Sequence, residues 1–275
     1  MEGVLYPRAG RDRNGEVTSL HHHLVLSLLG ESKIPASYHV SGLKKEISEA
    51  RPHTIVLSSE VLSREYLSSQ VFRDLQAMFP NAKREWIIFL RRQDKLAASR
   101  YAEMIKVGIL KWPDGIRSVI LPYYLDHRLR LERLRYAVKS DRILAISFED
   151  VQPNVVDGFL RNCKLPSVLQ PNTSRRLNES YPWGVLHMLR LANALPPRVG
   201  SLARRGILSL GLRLARTQLR ALVNWGYPLS EEKANWILGQ YASSNRWVEE
   251  QYLAGRPLLS NQAVKDVERS VGEII

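Results

Sequence analysis

The chain has 275 residues, 44% of them hydrophobic, and sets 40 lysines and arginines against 27 aspartates and glutamates, a formal net charge of +13. That length and composition supply a core for one sizeable domain, with or without an appendage, and exclude a disordered chain. The single cysteine, Cys163, excludes an intramolecular disulfide, and no uninterrupted apolar run reaches bilayer length.

The first residues, with Glu2, Arg8, Arg11, Asp12 and Arg13, lack the apolar segment of a secretory signal. A cytoplasmic location is the expectation, and the charge calls for an anionic partner. Leu20, Leu24 and Leu28 recur at helical spacing before Gly30. His53 to Ser58 is a short β-branched run and predicts a strand. Leu67, Val71, Leu75 and Met78 repeat the helical pattern before Pro80, and Trp86 to Leu90 and Arg142 to Phe148 predict two further strands. A long periodic stretch, Ile116 to Tyr136, leads into the last strand, and a short helix around Val155 to Leu160 follows it. Alternation of strand and helix predicts an α/β fold with a mostly parallel sheet and crossover helices.

Past Pro166 the character changes. Pro-Asn-Thr-Ser-Arg-Arg (171–176) reads as a linker, and helical patterns then cover Val185 to Leu195, Leu202 to Trp225, Ser230 to Ala242 and Asn245 to Leu253. The predicted organisation is an α/β core over residues 1–172 and a basic helical region over 173–275 packed on it. From Ser180 to Ser230 there is no acidic residue, whereas Arg190, Arg198, Arg204, Arg205, Arg213, Arg216 and Arg220 all fall there. Leu208, Leu212, Ala215, Leu219 and Leu222 form one stripe, with Arg205, Arg213, Arg216 and Arg220 on another. Such a helix packs on a core with a solvated basic face, or meets an anionic glycan or membrane surface, such as the inner membrane face. Nucleic acid is disfavoured, because no helix-turn-helix, RNA-binding aromatic pair or zinc-finger spacing accompanies the charge.

The most informative stretch is Glu85 to Ile105, where a strand ends at paired arginines and Ser99 follows Arg91 by eight residues inside an amphipathic segment. Ligands collect where strand ends meet helix starts, and anions favour helix N-termini. An arginine at a strand end followed by this serine resembles the 3′-phosphate-binding element of sulfotransferases, which use 3′-phosphoadenosine-5′-phosphosulfate (PAPS). Leu-Arg-Arg-Gln-Asp, with Ser99 and Tyr101 after it, resembles a bacterial branch associated with surface polysaccharides. Tyr6-Pro7, the run His21-His22-His23, Leu57-Ser58-Ser59-Glu60, Ser147-Phe148-Glu149 and Asn245-Arg246-Trp247 extend the resemblance over most of residues 5–255.

The resemblance implies a P-loop NTPase-like core, PAPS as sulfuryl donor, 3′,5′-phosphoadenosine (PAP) as product, a carbohydrate acceptor and no metal. Arg91 and Ser99 would hold the 3′-phosphate. Glu60, at a strand end beside Ser58 and Ser59, would take the acceptor proton; its other reading is as an acidic residue at a helix start. Family members open with a strand, a Gly/Thr loop that usually carries a lysine, and a helix that cradle the 5′-phosphosulfate. This sequence has no Gly-x-x-x-x-Gly-Lys-Ser/Thr and no lysine in a glycine-rich turn. Either Val4 and Leu5 form a rearranged edge or the reading frame lacks its true beginning; the second is favoured, and with it weak or no turnover. The competing expectation is a non-catalytic basic protein that binds anionic glycan or lipid.

Arg92 is expected to pair with an acidic neighbour, and Tyr101 and Lys106 either line the acceptor cleft or pack. Three consecutive histidines fan out by about 100° each on a helix and cannot face one ion. No Ser-His-Asp set can be assembled from the sequence, and Cys163 is assigned no role. Trp183, Trp225, Trp236 and Trp247 either stack on sugar rings or anchor the core.

Overall fold

The computed structural model describes residues 3–13, 16–17, 20–64, 67–152, 154–166, 181–215, 217, 223 and 225–258. It is a mixed α/β protein in two compact units, one drawn from Met1–Trp86 and Leu131–Ile143, the other from Ile87–Arg130 and Leu144–Ile275. The division does not fall at residue 172. The helices after the predicted linker share a hydrophobic cluster with the helix that follows Arg92, because apolar stripes far apart in sequence bury one another. The segment 171–176 lies outside the described residues.

In the first unit β1 (Val4–Leu5) pairs in parallel with β4 (Thr54–Ile55), Val4 opposite Thr54 and Leu5 opposite Ile55. Val4 and Leu5 are therefore strand residues. A short antiparallel pair, β2 (Asp12–Arg13) with β3 (Glu16–Val17), lies between them in sequence and was not expected. Three helices pack here: α1 (His22–Leu28), α2 (Ala36–Ala50) and α3 (Ser69–Ala77). Their core is Leu24, Val25, Val61, Val71 and Leu75, and Phe72, Ala137 and Val138 form a second cluster. The sequence pattern missed α2, whose buried residues are His39 and Leu43; it ends at Arg51 in the left-handed conformation, just before Pro52.

Strand β5 (Glu85–Leu90) pairs with β6 (Arg142–Ser147), close to the predicted runs. Among the described residues the strands thus form three separate two-stranded pairs rather than one continuous sheet. The predicted strand from His53 to Ser58 is ladder-paired only at Thr54 and Ile55, since β1 offers two residues.

In the second unit α4 (Gln93–Lys106) turns Ala97, Ala98, Tyr101, Ala102 and Ile105 inward, an i, i+3/i+4 stripe that fills the core with Leu125, Val185, Leu189 and Ile237. The long periodic stretch from Ile116 to Tyr136 is a 3₁₀ turn at Ile116–Val119, α5 (Pro122–Leu125) and α6 (His127–Val138). Asp126 restarts it, its carboxylate accepting from the Leu129 N–H at 3.1 Å. After α7 (Val155–Asn162) come α8 (Trp183–Asn193), α9 (Pro197–Ala215), α10 (Glu231–Gln240) and α11 (Ala242–Tyr252). Helix α9 lies close on α8 because a Cβ on Gly211 would meet Val185 Cγ2 at 2.6 Å, and one on Gly200 the Ala192 carbonyl at 2.8 Å.

The end of α4 is fastened by side chains from α8 and α9. Asn193 donates to the carbonyls of Ile105 (3.0 Å) and Leu110 (2.7 Å), and Arg204 donates to the Lys106 carbonyl at 2.5 Å and to the Asn193 carboxamide. A guanidinium on the last carbonyls satisfies acceptors that the helix leaves open and meets the negative end of its dipole.

Asp141 organises the first unit's polar interior. Its carboxylate accepts from Gln76 Nε2 (2.8 Å), Trp86 Nε1 (2.9 Å) and Arg84 Nε (3.0 Å) and is nearly buried. Burial alone pushes this carboxyl up, but the hydrogen bonds from Arg84, Gln76 and Trp86, with the Arg84 charge, outweigh it and hold the group below the usual aspartate range. Replacing Asp141 by Ala strands three donors and is expected to cost about 3 kcal/mol in denaturant unfolding at neutral pH. Because the folded value is depressed, the charged group's contribution is present above the ordinary aspartate value of about 4 and is lost as pH falls below it. Asp141→Asn should therefore flatten the acid limb of the stability profile.

Candidate functional site

The β5–α4 connection is two residues long, Arg91 and Arg92. Strand ends lie side by side here: the Phe148 N–H, just past β6, donates to the Leu90 carbonyl at 2.7 Å. Arg91 is half-buried, its guanidinium 5.3 Å from the centre of the Phe148 ring, and its Nε has no hydrogen-bond partner among the described residues. Its carbonyl accepts from His127 Nε2 at 2.9 Å, which fixes the backbone at this corner.

Arg92 points elsewhere, as its sequence context suggested. Its Nε and Nη2 grip the two oxygens of buried Asp94 at 3.1 and 3.2 Å, while its backbone N–H donates to both oxygens of Glu149 at 3.2 and 3.4 Å. Glu149 thus occupies the positive end of α4, where a free anion would otherwise bind. Burial pushes its carboxyl up, against the Arg92 N–H and the charges of Arg91 and Arg92, which pull it down. Ser99 lies on the exposed face of α4 with Lys95 and Glu103. Gln93, at the helix start, is buried and exchanges amide hydrogen bonds with Asn245 on α11, at 2.5 and 3.2 Å.

Glu60 belongs to the first unit. It is exposed and opens a 3₁₀ turn, Glu60–Ser63, whose cap is the Ser59 hydroxyl, accepting from the Val61 N–H at 3.3 Å. Around it the histidine run divides its work. His21 is buried: its Nδ1 accepts from the Ser58 N–H at 3.1 Å, and its Nε2–H donates to the Pro7 carbonyl at 3.0 Å. Tyr6 packs edge-on against the same ring and its hydroxyl meets Ser58 Oγ at 2.6 Å. His22 Nδ1 lies 2.9 Å from Ser59 Oγ. Burial lowers the His22 pKa, and the nearby Glu60 charge acts in the opposite sense. The pairing of His22 with Ser59 was invisible in the sequence, where the two are 37 positions apart.

Tyr101 and Lys106 both have partners within the fold. Tyr101 is 1% exposed and accepts from the Arg190 guanidinium, which also donates to the Asp114 carbonyl at 2.8 Å. Lys106 lies 4.8 Å from the centre of the Tyr181 ring. Trp183 stands edge-on to Tyr227 and Trp247 packs beside Tyr252, whereas Trp225 and Trp236 are exposed. Cys163 is half-buried just past α7. Among the described residues no cluster of three or more His, Cys, Asp or Glu is placed to hold a metal ion.

Comparison with known protein families, curated proteins and solved structures returned no match. The two described regions are a half-buried arginine at a strand-to-helix corner and a histidine–serine–glutamate cluster, each in its own unit.

Two imidazoles in these regions are held neutral. Burial brings His21 to about 4, with the Arg11 charge adding to the effect, and burial brings His127 to about 4, with the Arg130 charge adding. A depressed folded value means that the neutral form's contribution is present above the ordinary histidine value of about 6.5 and is lost as pH falls toward the folded value. Nitrogen NMR of the imidazoles at pH about 6, below that ordinary value, should show both rings as neutral Nε2–H tautomers. A charged ring at either position would contradict the assigned hydrogen bonds.

Proposed function

We propose that this chain is a sulfotransferase-like protein with a P-loop-type core that moves a sulfuryl group from PAPS to a hydroxyl of a carbohydrate, a surface polysaccharide or its glycolipid precursor. The single observation that carries the reading is Arg91. It stands at the strand-to-helix corner beside the end of β6, half-buried, with a guanidinium nitrogen lacking a partner among the described residues. A half-buried guanidinium is suited to a phosphate, because its fork matches two oxygens and a partly desolvated site strengthens each contact.

In this reading Arg91 holds the 3′-phosphate of the nucleotide, and the exposed hydroxyl of Ser99 on α4 adds a second contact. Glu60 is the proposed base. In the reaction a bond forms between the acceptor oxygen and sulfur while the bond from sulfur to the bridging phosphate oxygen breaks. The acceptor proton goes to the base, and the electron pair of the broken bond leaves with PAP. Arg91 and Ser99 are assigned to the 3′-phosphate end of the donor; none is assigned to the 5′-phosphosulfate, for which the sequence carries no lysine in a glycine-rich turn.

The electrostatics of the corner make the reading specific. Glu149 shares the field of Arg91, so it opposes any phosphate that approaches. Calorimetric titration with PAP is expected to give binding that Arg91→Ala weakens roughly 10- to 100-fold and Ser99→Ala by about fivefold, the worth of a charge-assisted and an ordinary hydrogen bond. Glu149→Gln keeps an acceptor for the Arg92 N–H but removes the negative charge, and should tighten PAP severalfold. A folded protein that does not bind PAP, or binds it equally well without Arg91, would overturn the proposal.

A further inference from the structure

Helix α9 carries more exposed aliphatic surface than its packing explains. Its inner face, with Gly200, Ala203, Ile207, Leu208, Gly211 and Leu214, is buried or half-buried, and α9 lies close on α8 at Gly200 and Gly211. On the other side Val199 is 54% exposed, Leu202 69% and Leu210 62%, so most of their apolar surface stays in water. At 100° per residue these three, with Gly206, span an arc of about 80°, and Arg198, Arg205 and Arg213 extend it to about 140°. All three of those arginines are exposed. No acidic residue occurs between Ser180 and Ser230 to neutralise them.

The structure also separates these arginines from others in the same stretch. Arg190 and Arg204 are consumed internally, on Tyr101 and Asp114 and on the end of α4 respectively. Arg216 and Arg220 lie outside the described residues. Of the apolar stripe expected from the sequence pattern, Leu208 packs against the core, and Leu219 and Leu222 lie outside the described residues.

We propose that the outer face of α9 is a docking surface for an anionic phospholipid bilayer, with Val199, Leu202 and Leu210 inserted at the headgroup boundary and Arg198, Arg205 and Arg213 on the lipid phosphates. The combination of charge and exposed aliphatic side chains selects this occupant. A soluble acidic glycan or a nucleic acid would satisfy the arginines but leave the leucines in water. A second copy meeting it through the same face would cover the leucines but set arginines against arginines with no carboxylate between them. An interfacial helix satisfies both, long basic side chains reaching the headgroups while the aliphatic ones enter the acyl boundary. No helix among the described residues is long and apolar enough to cross a membrane, so the contact is peripheral. This inference does not rest on the nucleotide reading of Arg91.

The test is co-sedimentation of the full chain with vesicles of phosphatidylcholine alone and of phosphatidylcholine with phosphatidylglycerol. Binding to the second and not the first is expected, weakening as salt is raised. Arg205→Gln with Arg213→Gln should weaken it about 30-fold, from roughly fivefold per arginine. Leu202→Ser with Leu210→Ser keeps every charge and should weaken it about tenfold. Both pairs alter exposed side chains, and circular dichroism and an unchanged melting temperature would establish that they fold. No binding to the anionic vesicles overturns the proposal. So does binding that the serine pair leaves intact, which would mean charge attraction alone, or a concentration-dependent dimer that the serine pair abolishes, which would mean that the face meets a second copy.

Discussion

The two-residue step from β5 into α4 is the constraint on which the second unit depends. A helix leaves unsatisfied N–H groups at one end and carbonyls at the other, and burying those ends without partners is costly. Here Glu149, past β6, takes the Arg92 N–H, while Asn193 and Arg204 take the carbonyls at the far end. His127 holds the Arg91 carbonyl at the corner itself. With both ends anchored, the Ala97, Ala98, Tyr101 and Ile105 stripe has one way to meet α8 and α10, and the Arg91 side chain is left over the Phe148 ring.

The first unit solves a similar problem with neutral groups. Its loops run Tyr6 to Gly10 and Val56 to Glu60, and loop backbone inside a fold needs partners. One imidazole provides two: His21 receives the Ser58 N–H and gives its own proton to Pro7, and the His21 N–H returns to the Ser58 carbonyl at 2.7 Å. A charged ring would be a donor at both nitrogens and would lose the Ser58 contact, so burial and hydrogen bonding favour the same protonation state. His22 then lies beside Ser59, with Glu60 exposed next in the chain.

Charge is distributed by use. Four partly buried arginines end on carboxylates, carbonyls or rings: Arg84 on the Asp141 carboxylate, Arg92 on the Asp94 carboxylate, Arg190 on the Asp114 carbonyl and the Trp112 ring, and Arg204 on the Lys106 carbonyl. Such internal pairs leave the formal net charge of +13 unchanged, and part of that excess is exposed on the outer face of α9. Arg91 lies over the Phe148 ring with Glu149 nearby, and its Nε has no hydrogen-bond partner among the described residues.

The sequence by itself determined the elements whose signals are local. The runs at Trp86 to Leu90 and Arg142 to Phe148 are strands, α8, α10 and α11 fall within a few residues of their expected places, and the break before Gln93 starts α4. Side-chain period and capping act within one turn, so the amino-acid order shows them directly. The partition into two units, the separation of the strands into pairs and the break of the Ile116 to Tyr136 segment were settled by tertiary structure, because pairing and burial depend on residues far away. Gln93 and Asn245 are 152 positions apart, and Arg92 and Glu149 are 57. For the same reason the sequence placed Arg91 and Glu60 at element ends and Ser99 inside the following helix, whereas only the fold decided that Ser99 faces solvent, that Glu149 occupies the start of α4, and that His22 meets Ser59: a hydrogen bond is set by distance in space, which spacing along the chain does not encode.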